Sequence, residues 1–241
     1  MLPTWMSTIA SVGMAIGPSL VYADQTYSII RKKNATGFSK DVCAVMLFSN
    51  IMRCFFWLGN QFELALLFQS IFLILTHLAV LYVCILYKPA HSTVDTSSSR
   101  RPFSFWQWQT YPQYIECIAS YIITTTVLFL IFSRFPVFID ILGYLALGLE
   151  SSLPVPQLVS NFKLNTLYGF RASTLMGWFG GDTYKLVYFF VNNAPLQFKL
   201  GAIFQLTVDS AIVIQRFVYG NAPPLSVLGD EEVPLALEED G

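Results

Sequence analysis

Apolar residues run through this chain in stretches of roughly 18 to 26, divided by short polar breaks. Seven such stretches fall at approximately 5–30, 42–59, 64–87, 111–133, 136–162, 173–191 and 196–219. Each is long enough, as a helix, to cross about 30 Å of hydrocarbon. The pattern predicts an all-α membrane protein with seven transmembrane helices. The breaks group them as three, one and three. Residues 1–87 then form a first triple-helix bundle, and residues 136–219 a second. Residues 88–135 hold a linker and the fourth span. Residues 220–241 form an acidic tail with six acids and no base, expected to be disordered and solvated.

Two segments of the chain match at a fixed spacing. Gln25, Ser28, Arg31 and Gly37-Phe38 align with Gln157, Ser160, Lys163 and Gly169-Phe170, each pair 132 residues apart (157 − 25). The register continues through Asn50/Asp182, Arg53/Lys185 and Asn60/Asn192. Duplicated units in a membrane protein point to a transport-type fold with a polar site where the repeats meet. The single fourth span lets both units insert in the same orientation. Arg31, Lys32, Lys33, Lys40, Lys88, Arg100, Arg101, Lys163 and Arg171 gather in alternate loops, and the opposite loops hold Arg134 alone. Positive loops stay in the cytosol, so the N-terminus is expected to be lumenal and the acidic tail cytosolic.

Composition agrees with this plan. The chain is 54% hydrophobic and only 12% charged, with mean hydropathy +0.54. That is about half the charge of a soluble domain. The net charge of −1 gives no basis for nucleic-acid binding. Cys43, Cys54, Cys84 and Cys117 show no metal spacing and read as small buried hydrophobes. No Walker loop, GxSxG or HExxH is present, which argues against a pump or hydrolase. No enzyme activity, metal or cofactor is expected.

Charged and amide residues inside apolar runs need a reason to be there. Asn50, Arg53, Asp182 and Lys185 fall near the middles of spans 2 and 6. Asp182 and Lys185 form an i,i+3 pair that can neutralise itself. Arg53 lacks such a partner, and Asp24 is one candidate. Together these residues either lock the bundles by ion pairing or line a path for a permeant. Glu150 in span 5 and Asp209 in span 7 have no base within one turn. Each is either a proton site or a hydrogen-bonded helix contact. His77 reads as a buried histidine, and His91 has no visible partner. Pro154 and Pro156 break span 5 near Gln157, and Pro18 stands in span 1. Gly177, Gly180 and Gly181 fit close helix approach in span 6. The segment Phe105-Trp106-Gln107-Trp108 fits an anchor at the headgroup level.

Pro156-Gln157, with its echo at Gln25, resembles the PQ-loop repeat family. So do Asn34-Ala35-Thr36-Gly37-Phe38-Ser39, Asn50-Ile51-Met52-Arg53 with Phe56-Trp57, Phe62-Glu63 with Gln69-Ser70, Phe105-Trp106-Gln107-Trp108, Gly180-Gly181-Asp182 and Ala194-Pro195-Leu196-Gln197-Phe198. Together they are similar to the branch of PQ-loop repeat-containing protein one, as a fungal member. The resemblance implies two parallel triple-helix bundles joined by a linker helix, as in SWEET transporters and the KDEL receptor. It implies a Golgi and endosomal membrane protein that scrambles phospholipids without energy input and opposes lipid flippases. The headgroup path would be Asp24, Asn50, Arg53, Glu150, Asp182, Lys185 and Asp209. Gln25, Pro154, Pro156 and Gln157 would form the hinges. The first repeat departs from the family pattern, with Asp24-Gln25 in place of Pro-Gln. Two alternatives stay open: a proton-coupled small-solute carrier and a seven-helix cargo receptor. The lipid headgroup and the oligomeric state are not legible in the sequence.

Overall fold

The computed structural model describes residues 4–35, 38–87, 105–167 and 172–220. The Gly37 and Gly169-Phe170 matches, the linker with His91, and the acidic tail lie outside the described residues. Eight helices are present: α1 (Thr4–Lys32), α2 (Lys40–Gly59), α3 (Leu64–Leu86), α4 (Tyr111–Phe132), α5 (Pro136–Ser151), α6 (Val155–Leu164), α7 (Ala172–Val191) and α8 (Leu196–Tyr219). No strand occurs among the described residues. Six segments are long and apolar enough to cross a membrane: Trp5–Lys32, Lys40–Gly59, Leu64–Leu86, Tyr111–Phe132, Pro136–Leu164 and Leu196–Tyr219. The seventh expected span corresponds to α7, whose 20 residues include Asp182 and Lys185 and fall outside that set.

Local chemistry sets the helix ends. Ser39 caps α2, its hydroxyl accepting from the Asp41 amide at 3.2 Å, and Asp41 adds a charge favoured at a helix start. Pro112 sits in the first turn of α4, where its missing N–H costs nothing. The expected fifth span is two helices. It breaks over residues 152–154, ahead of Pro154 and Pro156. Proline cannot donate the intrahelical bond, so the ladder stops there. Helix α1, by contrast, runs unbroken through Pro18, Asp24 and Gln25.

The chain divides into two compact units. The first holds residues 1–150 and 192–198. In it α3 packs on both α1 and α2, and α4 packs on α2 and α3. Its core gathers Cys43, Leu47, Val80, Leu81 and Cys84 with Trp106 and Tyr114. Trp106, in the aromatic segment before α4, thus belongs to the core, which corrects the headgroup-anchor reading for that residue. That ring is buried, and its indole N–H donates to the Lys40 carbonyl at 2.8 Å. An indole can be buried when its single donor is satisfied.

Helix α5 meets α2 at three levels: Ile139 against Gly59, Phe56 against Gly143, and Glu150 with Arg53. The residue numbers rise on α5 as they fall on α2, so the two helices run antiparallel. A Cβ at Gly143 would lie 2.9 Å from the Phe56 ring. Gly59 and Gly143 are therefore glycines of close approach. Gly177, Gly180 and Gly181 are not, which corrects the expectation for span 6. A Cβ at any of them would meet nothing within 4 Å among the described residues.

The second unit holds residues 151–191 and 199–241. Its described part is α6, α7 and most of α8. Leu167, Leu175, Val208 and Ile212 form its core, with Val155 and Leu158 packed against them.

Both units have the polarity of a membrane protein. Leu130 is 73% exposed and Phe217 85%, while Arg53, Asn50, Gln69, His77 and Asp209 are buried. Hydroxyls on α4 are satisfied inside their own helix. Thr124, Thr125 and Thr126 donate to the carbonyls of Ser120, Tyr121 and Ile122 at 2.7–2.8 Å. Hydrocarbon supplies no hydrogen bonds, so a spanning helix must satisfy itself this way. The protein is an integral membrane protein.

Candidate functional site

The first unit buries a polar cluster around Arg53. A guanidinium in this position needs an anion and acceptors, because its desolvation is otherwise uncompensated. The anion is Glu150, which pairs with Arg53 from α5. This settles the partner left open above, for Asp24 is exposed on α1. It also removes Glu150 from the class of lone carboxyls. Arg53 further donates to Gln69 Oε1 on α3 at 3.4 Å. Its guanidinium lies over the Phe198 ring, 5.5 Å from the centroid. That is a cation–π contact, favourable where water is excluded.

Asn50 lies one turn before Arg53 and is fully buried. Its amide N–H donates to the Met46 carbonyl at 2.8 Å, while its Oδ1 has no hydrogen-bond partner among the described residues. His77 is also buried, its Nδ1 donating to the Leu73 carbonyl at 2.8 Å. Tyr22 packs edge-on against that ring at 4.2 Å. The buried-histidine reading matches this environment.

The second unit buries a separate charged cluster. Lys185 Nζ lies 3.0 Å from Asp182 Oδ1, one turn apart on α7. Asp209 on α8 is fully buried in the field of Asp182 and Lys185. Its carboxylate faces that of Asp182 on α7.

The Pro-Gln segment has its own network. Gln157 Nε2 donates to Asn161 Oδ1 at 2.7 Å, and Asn161 Nδ2 donates to Gln215 Oε1 at 3.1 Å. Gln215 Nε2 closes the loop on the Leu158 carbonyl at 3.0 Å. A chain of amides thus ties α6, just past the proline break, to α8. Pro154 is buried and Pro156 exposed. Gln25, the counterpart in α1, is half-buried in an unbroken helix.

The structure therefore brings Asn50, Arg53 and Glu150 together in one unit, and Asp182, Lys185 and Asp209 in the other. Asp24 joins neither cluster. Sequence reasoning missed a third polar feature, a cavity of about 500 Å³ in the first unit. It is lined by Asn60, Gln61, Phe62, Asp140, Tyr144 and Gln197, among others. Asn60 stands out in the repeat register and Gln197 lies in the Ala194-Pro195-Leu196-Gln197-Phe198 segment, but Asp140 carries no local signal. No group of three metal-ligating side chains occurs among the described residues.

These clusters sit in a chain with clear relatives. A model of the PQ loop repeat matches residues 138–198, from α5 into the start of α8. The chain is also 27% identical over 294 aligned positions to Scramblase ANY1 of Saccharomyces cerevisiae, taking in 90% of this chain and 72% of that protein. The helix break at Pro154 and Gln157 of the amide network both lie in the matched stretch, and over that stretch the chain is similar to PQ-loop repeat proteins.

Proposed function

We propose that this protein is an energy-independent phospholipid scramblase of Golgi and endosomal membranes. The observation that carries the reading is the buried Arg53–Glu150 pair, held inside apolar helices of a chain similar to a protein named as a scramblase. A charge at the bilayer centre costs on the order of 2.5–3.5 kcal/mol by insertion scales, so a fold retains it for a purpose. In this reading Asn50, Arg53 and Glu150, with Asp182, Lys185 and Asp209, replace the hydration of a passing headgroup while the acyl chains stay in lipid. Asp24 borders the path from the exposed face of α1. The break at Pro154-Pro156 and the Gln157 network give the second unit its hinge. Helix α7 counts as a seventh span, in two triple-helix bundles joined by α4. The N-terminus is lumenal, and the loop with Arg31, Lys32 and Lys33 is cytosolic. The sequon Asn34-Ala35-Thr36 then stays unglycosylated in a eukaryotic host, and a glycan there reverses the orientation.

The test uses purified protein in liposomes that carry fluorescent phospholipid and an external, impermeant quencher. Inner-leaflet lipid should become accessible without ATP and without a pH gradient, because a path lowers the barrier equally in both directions. No movement with folded protein, across several lipid mixtures, sinks the proposal. Asp209 favours one second reading, a proton-coupled solute carrier, since its carboxyl is fully buried beside that of Asp182. Transport that appears only with a proton gradient selects that reading.

A further inference from the structure

The cavity in the first unit has a distinctive charge composition. Among the described residues its lining holds one carboxylate, Asp140, and no lysine, arginine or histidine. Around the carboxylate stand the amides of Asn60, Gln61 and Gln197 and the rings of Phe62 and Tyr144. At about 500 Å³ it lies within the usual range of small-ligand sites. Gln197 is 5% exposed and donates from Nε2 to Asp140 Oδ1 at 2.8 Å. That bond holds the exposed Asp140 carboxylate at the cavity through Oδ1.

The Phe62 ring meets Phe198 edge-on at 4.9 Å, and Phe198 lies under the Arg53 guanidinium. Phe62, in the cavity lining, is thus linked through Phe198 to the Arg53 guanidinium. All of these residues belong to the first unit.

An isolated carboxylate, neutral amide oxygens and two aromatic rings form the set that recognises an ammonium group. The carboxylate supplies the charge, the ring faces supply cation–π attraction, and the amides accept N–H bonds. A bare phosphate or carboxylate ligand would meet Asp140 with no cation among the described lining residues to offset it. We infer that this cavity is a capture site for an ammonium group, and that the group it takes is the ammonium of a phospholipid headgroup. The inference deepens the scramblase reading and rests on it for the lipid source. The site gives the path a preference for ammonium-bearing lipids over lipids such as phosphatidylglycerol, which carries none.

Binding and transport are tested separately. In detergent, water-soluble dihexanoyl phosphatidylethanolamine should bind the full-length protein, read as thermal stabilisation against concentration. Asp140→Asn should weaken it about tenfold, the size of one lost charge-assisted contact. The asparagine keeps an acceptor for Gln197, so the fold should hold. Gln61→Lys, at an exposed position, should block the site by placing a cation beside Asp140. Equal binding of dihexanoyl phosphatidylglycerol, or no effect of either variant, overturns the inference. Free ethanolamine binding as well as the short-chain lipid overturns the lipid assignment in favour of an amine solute. In liposomes, Asp140→Asn should slow acyl-labelled phosphatidylethanolamine several-fold and leave acyl-labelled phosphatidylglycerol unchanged. Equal slowing of both overturns the selectivity claim. Wild-type protein that binds the soluble lipid but moves none overturns the scramblase reading and leaves the binding site standing.

Discussion

Arg53 on α2 and Glu150 on α5 form a buried ion pair, and each is the other's charge partner inside the first unit. Gln69 and the Phe198 ring complete the surroundings of the guanidinium. The pair fixes α5 against α2 at the third of three contact levels, with Gly59–Ile139 and Gly143–Phe56 as the other two.

Breaking the pair from one side should cost more than removing it whole. Arg53→Leu leaves Glu150 buried and unpaired, and Glu150→Leu does the same to Arg53. Each single change should lower stability by about 3–5 kcal/mol. The double leucine variant should melt closer to the wild type, since no uncompensated charge remains. Melting temperatures in one detergent check the order. A double variant as unstable as the worse single one would show that the residues do not act as a pair. Folded double variant, tested in liposomes, should still scramble more slowly if the pair hydrates a headgroup.

Gly143 tolerates no side chain while Phe56 keeps its place. Phe56 is fully buried, with Phe62 at 5.2 Å and Phe198 at 6.2 Å between ring centroids. It has little room to yield to a Cβ that would stand 2.9 Å away. Gly143→Ala should destabilise by about 1–3 kcal/mol, the usual cost of overpacking. Phe56→Leu in the same chain should recover part of that loss. A double-mutant cycle measures the coupling, and strict additivity would show that the two positions do not touch.

Helix positions were legible in the sequence because membrane-length apolar runs end at polar or proline-containing breaks. The fourth stretch was expected at 111–133 and is helical over Tyr111–Phe132. The break near Pro154 followed from proline chemistry alone. The Arg53–Glu150 pair was not legible. Its members lie far apart in sequence, and helix periodicity says nothing about which distant helix supplies a partner. Trp106 misled for a related reason. Aromatic residues beside a span suit either an interface or a core, and the deciding bond to the Lys40 carbonyl is tertiary. The glycines of span 6 misled as well. Small residues permit close approach, but only a neighbour's position makes it happen, and Gly143 is where it does. Asp140 and Gln197 were invisible as a site because their cavity forms only when residues 60–62 and 193–197 meet the start of α5.

Asp182 and Lys185 offer a local contrast to the long-range pair. They stand 3.0 Å apart within one helical turn. Reversing both, Asp182→Lys with Lys185→Asp, keeps the pair neutral within α7. Either single reversal places two like charges one turn apart in a partly buried setting. The double reversal should therefore express and melt closer to the wild type than either single one. Asp209 makes the test sharper, since it lies in the field of both residues. A double reversal as poorly folded as the worse single one would mean that Asp209 reads the position of each charge, so that the pair is not self-contained.

The two glutamines of the repeat are matched in sequence and unequal in structure, and that difference is measurable. Gln157 donates to Asn161 at 2.7 Å, and Asn161, only 2% exposed, carries the chain on to Gln215 of α8. Gln157→Leu leaves the buried Asn161 oxygen without this donor. The loss of one buried hydrogen-bond donor should cost about 1–3 kcal/mol. Its effect should be local, because the network holds α6 just after the proline break. Hydrogen exchange should speed up at the backbone amides of Val155–Leu164 before any change in α1 to α4. Gln25→Leu serves as the comparison. Its helix runs unbroken on both sides, with no amide network drawn from Gln25 among the described residues. That change should stay within about 0.5 kcal/mol, the range of substitutions that break no buried contact. Equal exchange effects from the two variants would remove the asymmetry between the repeats, and with it the assignment of the hinge to the second unit alone.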